Sequence, residues 1–85
     1  MHQIIVRRHQ GNDVSNDFVV RGVDLKALDR QLRDVLREAQ ARRGTGIWSE
    51  ADPEVWSGAT LVARLGRDGD IAQLARMATL ACSKT

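Results

Sequence analysis

The chain has 85 residues and a mass of 9.4 kDa, enough for one small domain whose folding buries roughly 63% of its unfolded surface. Hydrophobic residues make up 42% and charged residues 28%, and 13 Lys+Arg stand against 11 Asp+Glu for a net charge of +2. These proportions exclude collagen, low complexity and a disordered chain, the single cysteine excludes a disulfide scaffold, and no apolar run approaches the ~20 residues of a membrane span.

Residues 2–9 read as a first strand. Ile4, Ile5 and Val6 are β-branched, with Ile4 and Val6 on one face and Ile5 and Arg7 on the other. Turn-forming residues follow, Gly11-Asn12-Asp13 and Ser15-Asn16-Asp17, on either side of Val14. They predict a loop longer than a tight hairpin. Residues 18–23 read as a second strand, antiparallel to the first, with Phe18 and Val20 on one face and Val19 and Arg21 on the other. Gly22 marks a bulge or the strand exit.

Asp24 has the character of a helix N-cap. Leu25, Leu28, Leu32, Val35, Leu36 and Ala39 then recur at helical spacing and fall within roughly 100° of arc, the width of a core-facing stripe. The helix is expected over 25–42, with Arg42 and Arg43 at the negative end of its dipole and Gly44 ending it.

The next segment admits two readings. Asp52-Pro53-Glu54 carries helix-start chemistry and favours a helix over 53–65, which Gly58 weakens. A strand at 60–65 is the alternative, with Leu61, Ala63 and Leu65 alternating with Val62 and Arg64. Asp70, followed by Ile71, Leu74, Ala75, Ala78 and Ala81, predicts a last helix over 70–82. Residues 70–78 resemble the first helix of a helix-turn-helix, but Thr79 holds the turn position and too few residues follow in this sequence for a recognition helix. The expected fold is therefore a single α+β domain over 1–85. An N-terminal antiparallel β-hairpin packs on one long amphipathic helix, followed by a C-terminal helical or mixed α/β unit. A two-stranded sheet is not stable alone, so a third strand or a partner chain has to complete it. A homodimer would serve that purpose.

Two patterns stand out as candidate binding features. Lys26, Arg30, Arg33 and Arg37 are spaced four, three and four apart and project within roughly 60° of one another, away from the leucine stripe. Such a row can track phosphates or an acidic protein surface. Arg42 and Arg43 extend it, with Arg7, Arg8 and Arg21 as candidates to join from the hairpin. Asp29→Arg33 and Arg30→Asp34 pairs along the same helix offer the competing reading of a neutralised, solvated face. The second pattern is acidic and aromatic. Trp48 and Trp56 bracket Glu50, Asp52 and Glu54, with no basic residue over 47–60. A tryptophan beside carboxylates suits a protein-binding anchor, and a plug for a small core is the alternative.

Arg outnumbers Lys by 11 to 2, and residues 1–46 carry +3 against −1 for 47–85, so a basic side and an acidic lobe are expected. No catalytic or cofactor motif is present: no phosphate loop, no nucleophile elbow, no closely spaced metal ligands. Cys82 reads as a small buried residue, and the N-terminus lacks the apolar run of a signal peptide, which points to a reducing cytoplasm. The expectation is a non-enzymatic regulatory protein without cofactor, binding another protein as an adaptor or inhibitor of the kind phages and mobile elements carry. The alternative is a dimeric nucleic-acid-binding regulator that uses the 26–37 row.

Overall fold

The structure, a computed structural model, describes the backbone of residues 2–10, 13–45 and 50–83, and their side chains apart from those of 9, 10 and 13–17. In chain order the elements are β1 (His2–Gln10), β2 (Asp13–Gly22), α1 (Leu25–Arg42), β3 (Glu54–Ser57), β4 (Thr60–Arg64) and α2 (Ile71–Ser83). The strands form one antiparallel sheet in the order β2-β1-β3-β4. β1 and β2 are a hairpin at one side. α1 then carries the chain across the sheet so that β3 pairs with the free edge of β1, and β4 folds back as the opposite edge.

Alternation along the strands gives the sheet two unlike faces. Ile4, Val6, Val20 and Val55 are buried on one side against Leu28, Leu32 and Leu36 of α1 and Leu74, Ala75, Ala78 and Cys82 of α2. Each fully buried leucine contributes about 1.5–3 kcal/mol relative to an exposed one. Both described helices serve this one core, so among the described residues the other face carries no helix.

α1 spans the residues its leucine spacing predicts. The Asp24 carboxylate accepts the Ala27 amide at 2.8 Å, and Gly44 ends the helix at φ +74°, a conformation only glycine adopts cheaply. Gly22, the last residue of β2, has a different reason to be glycine. A Cβ there would lie 2.7 Å from the Leu28 backbone nitrogen, so the bare backbone lets α1 start close over the strand. Asp70 opens α2 by accepting the Gln73 amide at 3.2 Å.

Two expectations are corrected. The first hairpin is tighter than the turn residues suggest: β2 begins at Asp13, which pairs with Gln10. The Ser15-Asn16-Asp17 cluster marks a register shift, Val6 opposing Phe18 and Arg7 opposing Asn16, a bulge in a continuous strand. The helix over 53–65 does not form. Glu54–Ser57 and Thr60–Arg64 are a hairpin closed by Gly58-Ala59, with Gly58 at φ +62°, as a two-residue turn requires. Pro53 immediately precedes β3, and its carbonyl accepts the Leu65 amide at 2.8 Å. These two strands complete the sheet within one chain.

No described helix is long and apolar enough to cross a membrane.

Candidate functional site

The helical basic row exists as a geometric feature, and half of it is engaged within the helix. Arg33 lies 3.1 Å from Asp29 and Arg37 lies 2.8 Å from Asp34, while Lys26 and Arg30 are exposed with no ion-pair partner among the described residues. Arg42 pairs with Glu38 at 2.7 Å. Arg7, Arg8 and Arg21 do not join the row. Arg8 is buried at 5% exposure on the helix side of the sheet, and Arg7 and Arg21 lie on the opposite face. Arg43 also leaves the row. Its side chain is 7% exposed and donates to Gln40 Oε1 at 2.9 and 2.8 Å, to the Leu65 carbonyl at 2.6 Å, to the Glu50 carbonyl at 3.1 Å and to Asp52 at 2.5 Å. Gln40 in turn donates to the carbonyls of Gly66 and Arg67, both at 2.9 Å. This pair fastens the end of α1 to the segments flanking the second hairpin.

The acidic segment is similarly tied to the chain's own arginines. Glu50 pairs with Arg67, Asp52 with Arg43, and Glu54 with Arg64 at 2.9 Å. Glu54 is itself buried at 5% exposure, and its other oxygen accepts the Trp56 indole N–H at 3.1 Å. Trp48 lies outside the described residues. The acidic lobe is thus a set of ion pairs within the chain, exposed at Glu50 and Asp52 and buried at Glu54, and Trp56 is half-buried at a second surface.

That surface is the helix-free face of the sheet. Val19 opposes Ile5, Ile5 opposes Trp56, and Trp56 opposes Leu61. One apolar residue from each strand therefore falls in a single row, about 14 Å long at the usual strand spacing. None belongs to the core cluster. Ile5, Trp56 and Leu61 are half-buried and Val19 is 50% exposed. Arginines surround the row. Arg7 packs over the Trp56 ring, its guanidinium carbon 4.8 Å from the ring centroid, a cation–π distance. Arg21 gives its Nε to Gln3 at 3.2 Å, and Arg64 gives its Nε to Glu54. Among the described residues the terminal nitrogens of Arg21 and Arg64 have no partner, and Glu54 is the carboxylate this face contains. Trp56 has two contacts within the sheet face, its indole N–H on Glu54 and the Arg7 guanidinium over its ring.

Sequence reasoning placed Trp56 among the candidate residues but missed Ile5, Val19 and Leu61. The available signal was doubling: Ile4-Ile5-Val6, Val19-Val20 and Leu61-Val62 put apolar side chains on both faces of strands whose outward positions are polar when water is the only neighbour.

Other chemistry is sparse. A groove of about 240 Å³ runs beside α2, lined by Arg64, Leu65, Gly69, Asp70, Gln73, Leu74 and Met77; it brings one carboxylate and one guanidinium together without a nucleophile. Cys82 is buried, its thiol 3.6 Å from the Gln3 carbonyl. Among the described residues no group of three or more His, Cys, Asp or Glu is placed to hold a metal ion. No family model, no curated protein and no solved structure matches the chain, so function has to be argued from the geometry of the sheet face.

Proposed function

We propose that this is a non-enzymatic protein-binding module that docks its partner on the helix-free face of the sheet. The observation that carries this reading is the row Val19-Ile5-Trp56-Leu61. An apolar band of that length, whose other described neighbours on the face are Gln3, Arg7, Arg21, Glu54 and Arg64, is the kind of surface a partner covers. A tryptophan with arginines at the margin has the composition of an interface centre, where large aromatic and Arg side chains supply most of the binding energy. The helix row contributes less in this reading, because Arg33 and Arg37 already have carboxylates beside them.

A second reading, nucleic-acid binding through α1, is favoured by the exposed Lys26 and Arg30 and by the pI near 9.3. Against it stand the low net charge and the in-helix pairing of the other two arginines.

In-cell crosslinking followed by purification, with the wild type and Val19→Lys/Leu61→Lys in parallel, separates them. The sheet-face reading expects a protein enriched with the wild type and lost with the folded variant. A partner retained by that variant moves the site elsewhere. Nuclease-sensitive material lost on Lys26→Ala/Arg30→Ala favours the second reading.

A further inference from the structure

Resting on that sheet-face reading, we infer the chemistry of the partner: an acidic amphipathic helix laid across the strands along the apolar row. Three features point this way. The row crosses all four strands, so its occupant runs across the sheet, and a strand added at an edge would leave it uncovered. Its length of about 14 Å matches about ten residues of α-helix, whose apolar stripe at i, i+3 or i+4 and i+7 presents side chains at that scale. Among the described side chains the margins carry arginines. Arg21 stands at the β2 end on one side of the row, and Arg7 and Arg64 stand on the other, with Arg64 at the β4 end. Glu54, the face's described carboxylate, is buried, with one oxygen on Arg64 and the other on Trp56. A partner with carboxylates flanking its apolar stripe meets these guanidinium groups as charge-assisted pairs, for which the fork geometry of Arg is suited.

The same features weigh against the other occupants. A second copy of this face would set arginines against arginines. A single-stranded nucleic acid needs successive aromatic platforms, and three of the four row residues are aliphatic.

The test is a display selection of random peptides of about 14 residues, the length of the row plus one helical turn, on the immobilised protein. Winners are then measured on Val19→Lys/Leu61→Lys, on Arg21→Glu/Arg64→Gln and on Arg21→Glu alone, each checked for wild-type circular dichroism. Arg21 is exposed at the sheet edge, so its single variant keeps the charge arm usable where the double variant fails to fold. The expected winners are net acidic, with apolar residues at i, i+3 or i+4 and i+7, and gain helicity on binding. Their affinity falls at least about tenfold on the row variant and several-fold on Arg21→Glu, with the charge loss shrinking in high salt. Neutral or basic winners, or apolar residues alternating at i and i+2, overturn the acidic-helix assignment while loss on the row variant keeps the sheet face as the site. Winners that bind the row variant as tightly as the wild type overturn the sheet-face reading itself. An absence of winners overturns the helix assignment. A thymidine 15-mer that binds the wild type and not the row variant also overturns it, with nucleic acid as the occupant of the same face.

Discussion

Arg43 is a charged side chain held at 7% exposure at the end of α1. It stays there because each arm of its fork meets an acceptor: Gln40, two main-chain carbonyls and the Asp52 carboxylate. Burying a guanidinium is costly unless its donors are satisfied, so this set of bonds acts as a unit. Arg43→Ala is expected to lower stability by about 2–3 kcal/mol, since it leaves the Leu65 carbonyl and Gln40 short of a donor. Arg43→Lys recovers a minor part, because a single ammonium cannot reach acceptors on three segments at once. Urea denaturation of the three proteins checks this; a loss below about 0.5 kcal/mol, the range of an exposed ion pair, would make Arg43 an ordinary surface residue. The sequence offered no sign of it. Arg42-Arg43 suits a helix C-terminus in both positions, and what separates them is where the chain returns 22 residues later, at Leu65.

At the scale of elements, legibility followed the number of independent local signals. α1 had a cap, a stripe and a stop, Asp24, the leucines and Gly44, and the structure uses all three. Segment 53–65 carried conflicting ones. Asp52-Pro53-Glu54 has the composition of a helix start, but its carboxylates are drawn to Arg43 and Arg64, and the tertiary pairs outweigh the local preference. The same segment hid the site. An apolar row across four strands is a property of register, and β1 and β3 lie far apart in the chain, so no sequence window contains it. The glycines give an element-level prediction. At Gly58 an added Cβ has nothing within 4 Å, so Gly58→Ala costs only the positive φ, about 1–2 kcal/mol. At Gly22 the added Cβ meets the Leu28 backbone at 2.7 and 2.9 Å. Main chain in a helix yields little, so α1 has to lift from the sheet, with a cost of about 2–3 kcal/mol or more. Denaturant midpoints should therefore rank wild type above Gly58→Ala above Gly22→Ala. The reverse order of the two variants would mean that α1 does not sit close over the end of β2.

For the whole molecule the decisive fact is that one chain supplies four strands and two helices to a single core. With two strands alone the apolar side of the sheet would need a second molecule; β3 and β4 instead bring Val55, Val62 and Ala63 to that core, and α2 brings Leu74, Ala75 and Ala78. What remains apolar on the other face is the row, whose described charged neighbours are arginines and the paired Glu54, and like charge at its margins would oppose a second copy of the same face. Unfolding should therefore be independent of concentration. A folded dimer stabilised by association shows a melting temperature that climbs with protein concentration, because dilution favours the separated chains. A monomer with a closed core does not. Thermal scans over a hundredfold range, from about 1 to 100 μM, should superimpose within a degree. Raising salt tests the same point from the other side. If arginine repulsion is what keeps two faces apart, screening it at about 1 M salt, where the Debye length falls to about 3 Å, should let weak self-association appear in sedimentation at high protein concentration and vanish in Leu61→Lys. A melting temperature that rises with concentration at low salt would instead make the second copy the natural cover of the row.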